Sequence, residues 1–219
     1  MPTQLPTKKP LYVAIEGPIG VGKTTLVNRL KQRLDSSLVL EVVEENPFLP
    51  SFYEDPDRFA FQTQLFFLMS RFRQQSELMQ GDLFRPNLLA DYHLLKDRIF
   101  ARLTLKDDEL ALYERVYQSL ERHILQPDVL VYLHAPIQTL LDRIEERGRP
   151  FESDFDRKYL EDLCSAYQHY FAHQAAPCRV LYLDNSNLDY ARCDEALDHV
   201  FQSIIKLAAQ ESGTAKLRV

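Results

Sequence analysis

The spacing of apolar positions changes repeatedly along the chain. Residues 11–15 (LYVAI) form an unbroken apolar run closed by a Gly-rich turn, whereas Leu26, Val27, Leu30 and Leu34 recur at helical spacing within 24–34. This pattern predicts strand, loop and helix in succession. Residues 38–43 (LVLEVV) predict a second buried strand, and the Pro- and acid-rich segment 44–57 predicts a loop with at most one short helix. From Asp57 onward, Phe59, Phe61, Leu65, Phe66, Leu68, Met69 and Phe72 make an apolar face too wide for one contact, so a long helix buried on more than one side is expected, stopping near Gly81.

Residues 87–90 (NLLA) end at Asp91 like a third strand, with helical sequence following to about Arg102. Asp107 and Asp108 open an acid-capped helix that carries Leu110, Leu112, Val116, Tyr117 and Leu120. Pro127 precedes a fourth strand at 129–133 (VLVYL), and Pro136 opens a helix that runs into the cluster Arg147, Gly148, Arg149. A helix over 156–174, a strand at 180–183 (VLYL) and a last helix over 190–208 complete the series. Strands alternating with helices through short connections call for an α/β fold, with a mainly five-stranded parallel sheet covered by helices on both faces.

Composition narrows this picture. A chain of 219 residues with 45% hydrophobic content can bury one substantial core. We expect a single domain over 11–210, after a disordered leader at 1–10 and before a flexible tail at 211–219. The net charge of −6 argues against a nucleic-acid partner, which would call for a basic face. No stretch of eighteen apolar residues occurs, so no membrane partner is expected. Cys164, Cys178 and Cys193 fit neither a disulfide framework nor a zinc site, which suggests structural thiols in a reducing cytoplasm.

The chemistry begins at residues 17–25, GPIGVGKTT. Gly17, Gly22, Lys23 and Thr24 match G-x-x-x-x-G-K-[ST] between a predicted strand and helix, the context that a phosphate-binding P-loop requires. Gly17, Gly20 and Gly22 let backbone amides approach phosphate oxygens. Lys23 can reach the β- and γ-phosphates of ATP, and the Thr24 hydroxyl can ligate Mg²⁺, with Thr25 beside it. The fold expected is therefore that of a P-loop NTPase. No NKxD-type base-reading motif is present, which disfavours a guanine-nucleotide switch. Arg143 and Arg147, one helical turn apart, and Arg149 can converge as a lid near 143–153 that stabilises charge on a transferring phosphoryl group. The plainer reading is a solvated helix end whose cations complement the helix dipole.

Five segments in order, LYVAIEGPIGVGKTT, EVVEEN, SFYEDPDRFAFQTQLFFLMSRFRQQ, DYHLLKDRIFA and RIEERGRPFE, resemble the deoxyribonucleoside kinases. The resemblance spans about 10–205. It implies transfer of the ATP γ-phosphoryl group to the 5′-hydroxyl of a deoxynucleoside, with purines or deoxycytidine favoured, and a homodimer built on the long helices. It implies a general base at Glu45, with Glu44 beside it and the choice between them open. Asp91 would join Thr24 in holding Mg²⁺; otherwise it is a helix cap at a strand end. Gln64, Arg71 and Asp97 would read the base, Phe61 would line its pocket, Tyr53 and Glu152 would hold the sugar 3′-hydroxyl, and Asp189 with Tyr190 would cover the base of ATP.

The chain departs from the resemblance where Tyr92 and His93 follow Asp91, in place of the Arg and Ser that many members carry. A cation there would come from Arg98 or the lid, and His93 would pack at a helix start. The alternatives are a nucleoside monophosphate kinase of the thymidylate kinase type, whose second phosphate an acidic pocket would repel, and a nucleotide-binding module without acceptor chemistry.

Overall fold

A computed structural model of the chain describes residues 9–80, 87–152, 155–173, 178–186, 189–210 and 214–217. Strands β1 (Tyr12–Glu16), β2 (Ser36–Val39), β3 (Asn87–Ala90), β4 (Val129–His134), β5 (Arg179–Asp184) and β6 (Thr214–Leu217) form one parallel sheet in the order β2-β3-β1-β4-β5-β6. The five predicted strands are present, and the sixth extends the sheet. Thr214–Leu217 was expected to lie in a flexible tail, but it pairs with β5 from Val180↔Thr214 to Leu183↔Leu217. Apart from Lys9 and Pro10, the expected leader lies outside the described residues, as does the Gly81 helix stop.

The helices are α1 (Lys23–Leu30), α2 (Leu49–Glu54), α3 (Pro56–Gln80), α4 (Leu95–Thr104), α5 (Asp107–Glu121), α6 (Ile137–Arg147), α7 (Arg157–His173) and α8 (Asp194–Ala208). Every residue of β1 is buried, as a central strand covered on both faces must be. Sheet strands and flanking helices share one apolar cluster that includes Val13, Leu26, Leu89, Val131, Leu163 and Leu197. A second cluster, with Phe52, Leu68, Leu94, Tyr113 and Tyr117, binds α2, α3, α4 and α5 together. Part of the α3 apolar face is thus covered within one chain, by α2, α4 and α5, while Met69 stays exposed.

One strand is shorter than its sequence suggests. The register pairs Val39 with Ala90, the last residue of β3, so an edge strand with no other partner has no ladder left beyond Val39. The chain turns inward, and residues Val43–Glu45 form a 3₁₀ turn rather than continuing the strand. The first connection from β1 leads outward to β2, whereas the later chain crosses from β3 to β4 on the other side of β1. Such a reversal opens a crevice beyond the carboxyl ends of the central strands.

Candidate active site

That crevice is a cavity of about 890 Å³, large enough for two small ligands end to end. Its floor is the loop after β1. Gly22 caps α1 in the left-handed region (φ 95°, ψ 24°), and a Cβ there would lie 2.8 Å from the Tyr190 hydroxyl. At Gly17 a Cβ would lie 2.3 Å from the Leu133 carbonyl oxygen, so the loop can close over β4 only with glycine there. Lys23 folds back over the loop, its Nζ donating to the carbonyls of Gly17 at 2.9 Å and Pro18 at 3.0 Å. Burial and then the neighbouring Lys96 lower its pKa to about 8, against the pull of Glu16, Glu41 and Asp91. Gly20, Thr24 and Thr25 share this wall with Asn185, Asp189, Tyr190 and Arg192. Asn185 ties the wall together, donating to the Val21 carbonyl at 2.7 Å and the Tyr190 hydroxyl at 2.9 Å.

Asp91 joins the two ends of the cavity. Its Oδ2 accepts from Thr24 Oγ1 at 2.5 Å, and its Oδ1 accepts from the Glu41 backbone N–H at 2.8 Å. Burial raises its pKa, opposed by the hydrogen bond from Thr24. A carboxylate and a hydroxyl in contact at the mouth of a phosphate loop are hard oxygen donors suited to Mg²⁺, which usually takes one or two protein oxygens and fills its shell with water and phosphate. No cluster of three or more His, Cys, Asp or Glu side chains that could hold a metal alone occurs among the described residues.

The far end is acidic and cationic together. Arg71 of α3 pairs with both Glu41 and Asp97, and Lys96 of α4 pairs with Glu41 at 2.8 Å. Burial would push the Glu41 carboxyl up, but Arg71 and Lys96 outweigh it and hold the group well below the usual carboxylate range. Asp97 is raised to about 6 because its burial outweighs Arg71. Gln64 and Arg71 face the cavity from α3 as expected, and Phe67 between them supplies the aromatic wall. Tyr53 lines the same end, its ring stacked on Phe151 at 5.9 Å between centroids.

All three arginines predicted as a lid line the cavity. Gly148 ends α6 in the left-handed region (φ 63°), its N–H donating to the Ile144 carbonyl at 3.3 Å, and this reversal returns Arg149 towards the site. Arg147 grips buried Glu152 at 2.6 Å, Arg149 pairs with Glu44 at 2.7 Å, and Arg143 reaches the Val21 and Asn185 carbonyls at 3.4 Å each.

Four sequence expectations need correction. Glu45 is exposed on the 3₁₀ turn and does not line the cavity; of the three glutamates in EVVEEN it is Glu41 that does, carried inward where β2 ends. Phe61 packs against the helical cluster instead of lining the cavity, and on α3 the aromatic wall falls to Phe67, six residues on. Asp97 is fully buried behind Arg71 and reaches the cavity only through that guanidinium. Arg98 turns away, pairing with Glu114 at 3.2 Å and lying over Tyr117. His93 does pack at a helix start: its Nδ1 accepts from the Leu95 N–H at 3.2 Å, and burial lowers its pKa to about 4.

Sequence reasoning passed over Glu41, Phe67, Lys96 and Asn185. For Glu41 a signal existed, since it opens the motif EVVEEN, but its place inside the apolar run LVLEVV reads as buried strand. Lys96 within LLKDR carries no such mark.

The profile of the family described as "Deoxynucleoside kinase" matches residues 13–208. The deoxyguanosine kinase of Bacillus subtilis (strain 168) is 41% identical over 158 residues, covering 72% of this chain and 76% of that protein. The deoxyadenosine/deoxycytidine kinase of the same organism is 30% identical over 200 residues, covering 88% and 90%. A solved structure of deoxyadenosine kinase from M. mycoides with bound dCTP superposes with a TM-score of 0.78 at 24% identity, covering 90% of this chain and 100% of that one.

Proposed function

The chain belongs to the deoxynucleoside kinase family, and on that premise we propose that it transfers the γ-phosphoryl group of ATP to the 5′-hydroxyl of a purine deoxynucleoside, with Glu41 as general base. The observation that carries this reading is the Asp91 carboxylate, bonded on one oxygen to the phosphate-loop residue Thr24 and on the other to the backbone of Glu41. The glutamate is thereby set at the junction of the donor and acceptor ends. Glu41 takes the hydroxyl proton as the 5′-oxygen bonds to the γ-phosphorus; the bond from that phosphorus to the β–γ bridging oxygen breaks, and ADP leaves with the electron pair. Thr24 and Asp91 would hold Mg²⁺, which when bound offsets charge on the phosphate oxygens. Lys23 holds the β- and γ-phosphates, Arg143, Arg147 and Arg149 offset charge on the moving group, and Asp189 with Tyr190 cover the base of ATP.

Gln64 offers a donor and an acceptor to a base edge, backed by the fixed charges of Arg71 and Asp97, while Tyr53 and Glu152 hold the 3′-hydroxyl. The purine preference draws support from the relatives named for deoxyguanosine and deoxyadenosine. The three thiols are free, which suits a cytoplasmic setting. Among the described residues no helix is long and apolar enough to cross a membrane. A homodimer belongs to the same reading and is checked by light scattering.

The deciding experiment offers radiolabelled deoxynucleosides with ATP and Mg²⁺. Deoxyguanosine and deoxyadenosine should turn over fastest, and no turnover of any deoxynucleoside would sink the proposal. Glu41→Gln should lower kcat by about 10² to 10⁴-fold with ATP binding retained, whereas Glu45→Gln should stay within about twofold. The reverse ranking would return the base to Glu45.

A further inference from the structure

Lys96 is a buried cation with a specific set of partners. It lies in the first turn of α4 with 5% of its surface exposed, where lost hydration must be replaced by close anions. Its Nζ donates to both oxygens of one carboxylate, Glu41 Oε2 at 2.8 Å and Glu41 Oε1 at 3.0 Å. The ammonium stands 5.5 Å from the centre of the Phe100 ring, which walls it in.

Neutralising Glu41 does not require this lysine, because Arg71 already donates two nitrogens to Oε1, one of them at 3.0 Å. Arg71 touches only that oxygen. Oε2 is held by Lys96 alone among the described residues, so the rotation of the carboxylate about its last bond depends on Lys96. A base that receives an alcohol proton must present an oxygen at hydrogen-bond distance along a set direction, so this rotation matters to the rate.

Among the described residues no other cation reaches Glu41 Oε2. Tyr92, directly after Asp91, is fully buried and donates its hydroxyl to Gln74 of α3, and Arg98 pairs with Glu114 of α5. Lys96 is also close enough to Glu16 and Lys23 to act on the titration of both, which places its charge beside the phosphate loop as well as beside the acceptor end.

We infer that Lys96 is a positioning residue of the transfer: with Arg71 it pins both oxygens of Glu41, so that the carboxylate faces the acceptor hydroxyl. This rests on Glu41 being the base. Steady-state kinetics on the full chain test it through four proteins: Lys96→Met, Lys96→Arg, Glu41→Gln and the double variant Glu41→Gln/Lys96→Met.

Lys96→Met should lower kcat by about 100-fold with the deoxynucleoside KM within about threefold, and Lys96→Arg should recover most of that loss. In the Glu41→Gln background, Lys96→Met should change kcat by less than about threefold, since no ionised base is left to aim. The inference is overturned by a kcat in Lys96→Met within about threefold of the parent, by a loss confined to KM, or by losses that multiply in full. ATP binding by calorimetry reports whether each variant is folded; if Lys96→Met fails it, Lys96→Gln takes its place with the same outcomes. Glu41→Gln at the parental kcat would instead break the reading of the base, whatever Lys96 does.

Discussion

At the scale of single residues, the site is built from charges that burial would neutralise were they not paired. Glu16, Asp91 and Asp97 are pushed up by burial, and Glu41 is held down by Arg71 and Lys96 despite it. His93 has the opposite tendency and offers a test of how dry this region is. Its pKa falls from 6.5 to about 4 through burial, so the folded chain keeps it neutral where the unfolded chain protonates it. Between pH 6.5 and 4 the unfolded state therefore binds more protons at this residue, and the stabilisation present above pH 6.5 is lost as pH falls. His93→Asn keeps an acceptor for the Leu95 N–H and removes the titration. Relative to that variant, the parent should lose roughly 3 kcal/mol of unfolding free energy between pH 6.5 and 4, measured by urea denaturation. Asp97, raised to about 6, acts with the opposite sign in the same window but is common to both proteins. Parallel stability curves would show that His93 is not shielded from water. Single residues were also where the sequence was least legible: three glutamates in EVVEEN differ only in phase, and that phase is set by where β3 runs out of pairing for β2.

At the scale of elements, most of the pattern could be read in advance, because the phosphate loop, the long α3 and the strand β4 each follow from a local signal. The loop needs its glycines, α3 has an apolar face on two sides, and β4 is an unbroken apolar run. What could not be read was which turn of a helix faces the cavity. Phe61, Gln64, Phe67 and Arg71 all fall near one face of α3, and it is the packing of α2 over the N-terminal turns that hands the cavity wall to Phe67. The end of α6 makes a cleaner prediction. Gly148 sits at φ 63°, and a Cβ added there would meet nothing closer than the Glu145 carbonyl oxygen at 3.8 Å, so the cost of Gly148→Ala is purely conformational. That cost is about 1 to 2 kcal/mol, or a Tm lower by some 2–8 °C at this chain length. The same strain is relieved by unwinding the turn that aims Arg149, so kcat should fall by about tenfold or more while ATP still binds. A variant with lowered Tm and parental kcat would separate the helix cap from the lid.

Across the whole molecule, stability and chemistry are distributed over different parts of the sheet. The groups proposed for the acceptor and the base line the cavity beyond β1 and β3, on the side where α2, α3 and α4 pack. The lining continues past β4 and β5 to Arg143 and Asn185, whereas β6 forms the opposite edge of the sheet. The strand at Thr214–Leu217 was illegible because four residues carry too little periodicity to announce a strand; it exists because β5 presents a row of unpaired backbone groups to whatever follows α8. Removing residues 211–219 should therefore uncover that row without reaching the cavity. We expect the truncated chain to melt several degrees lower and to aggregate more readily on heating, since an edge next to the apolar positions Val180, Leu181 and Leu183 would be open to another copy. Its kcat and KM for ATP and deoxynucleoside, taken well below the melting point, should remain within about twofold of the parent, because Asn185, which links β5 to the phosphate loop, hydrogen-bonds to Val21 and Tyr190 rather than to β6. Calorimetry and steady-state assays on one preparation decide it. A kcat that falls together with the melting temperature would mean that the far edge of the sheet holds the β5 end of the cavity in place, and that the division between a stabilising edge and a reacting centre does not hold.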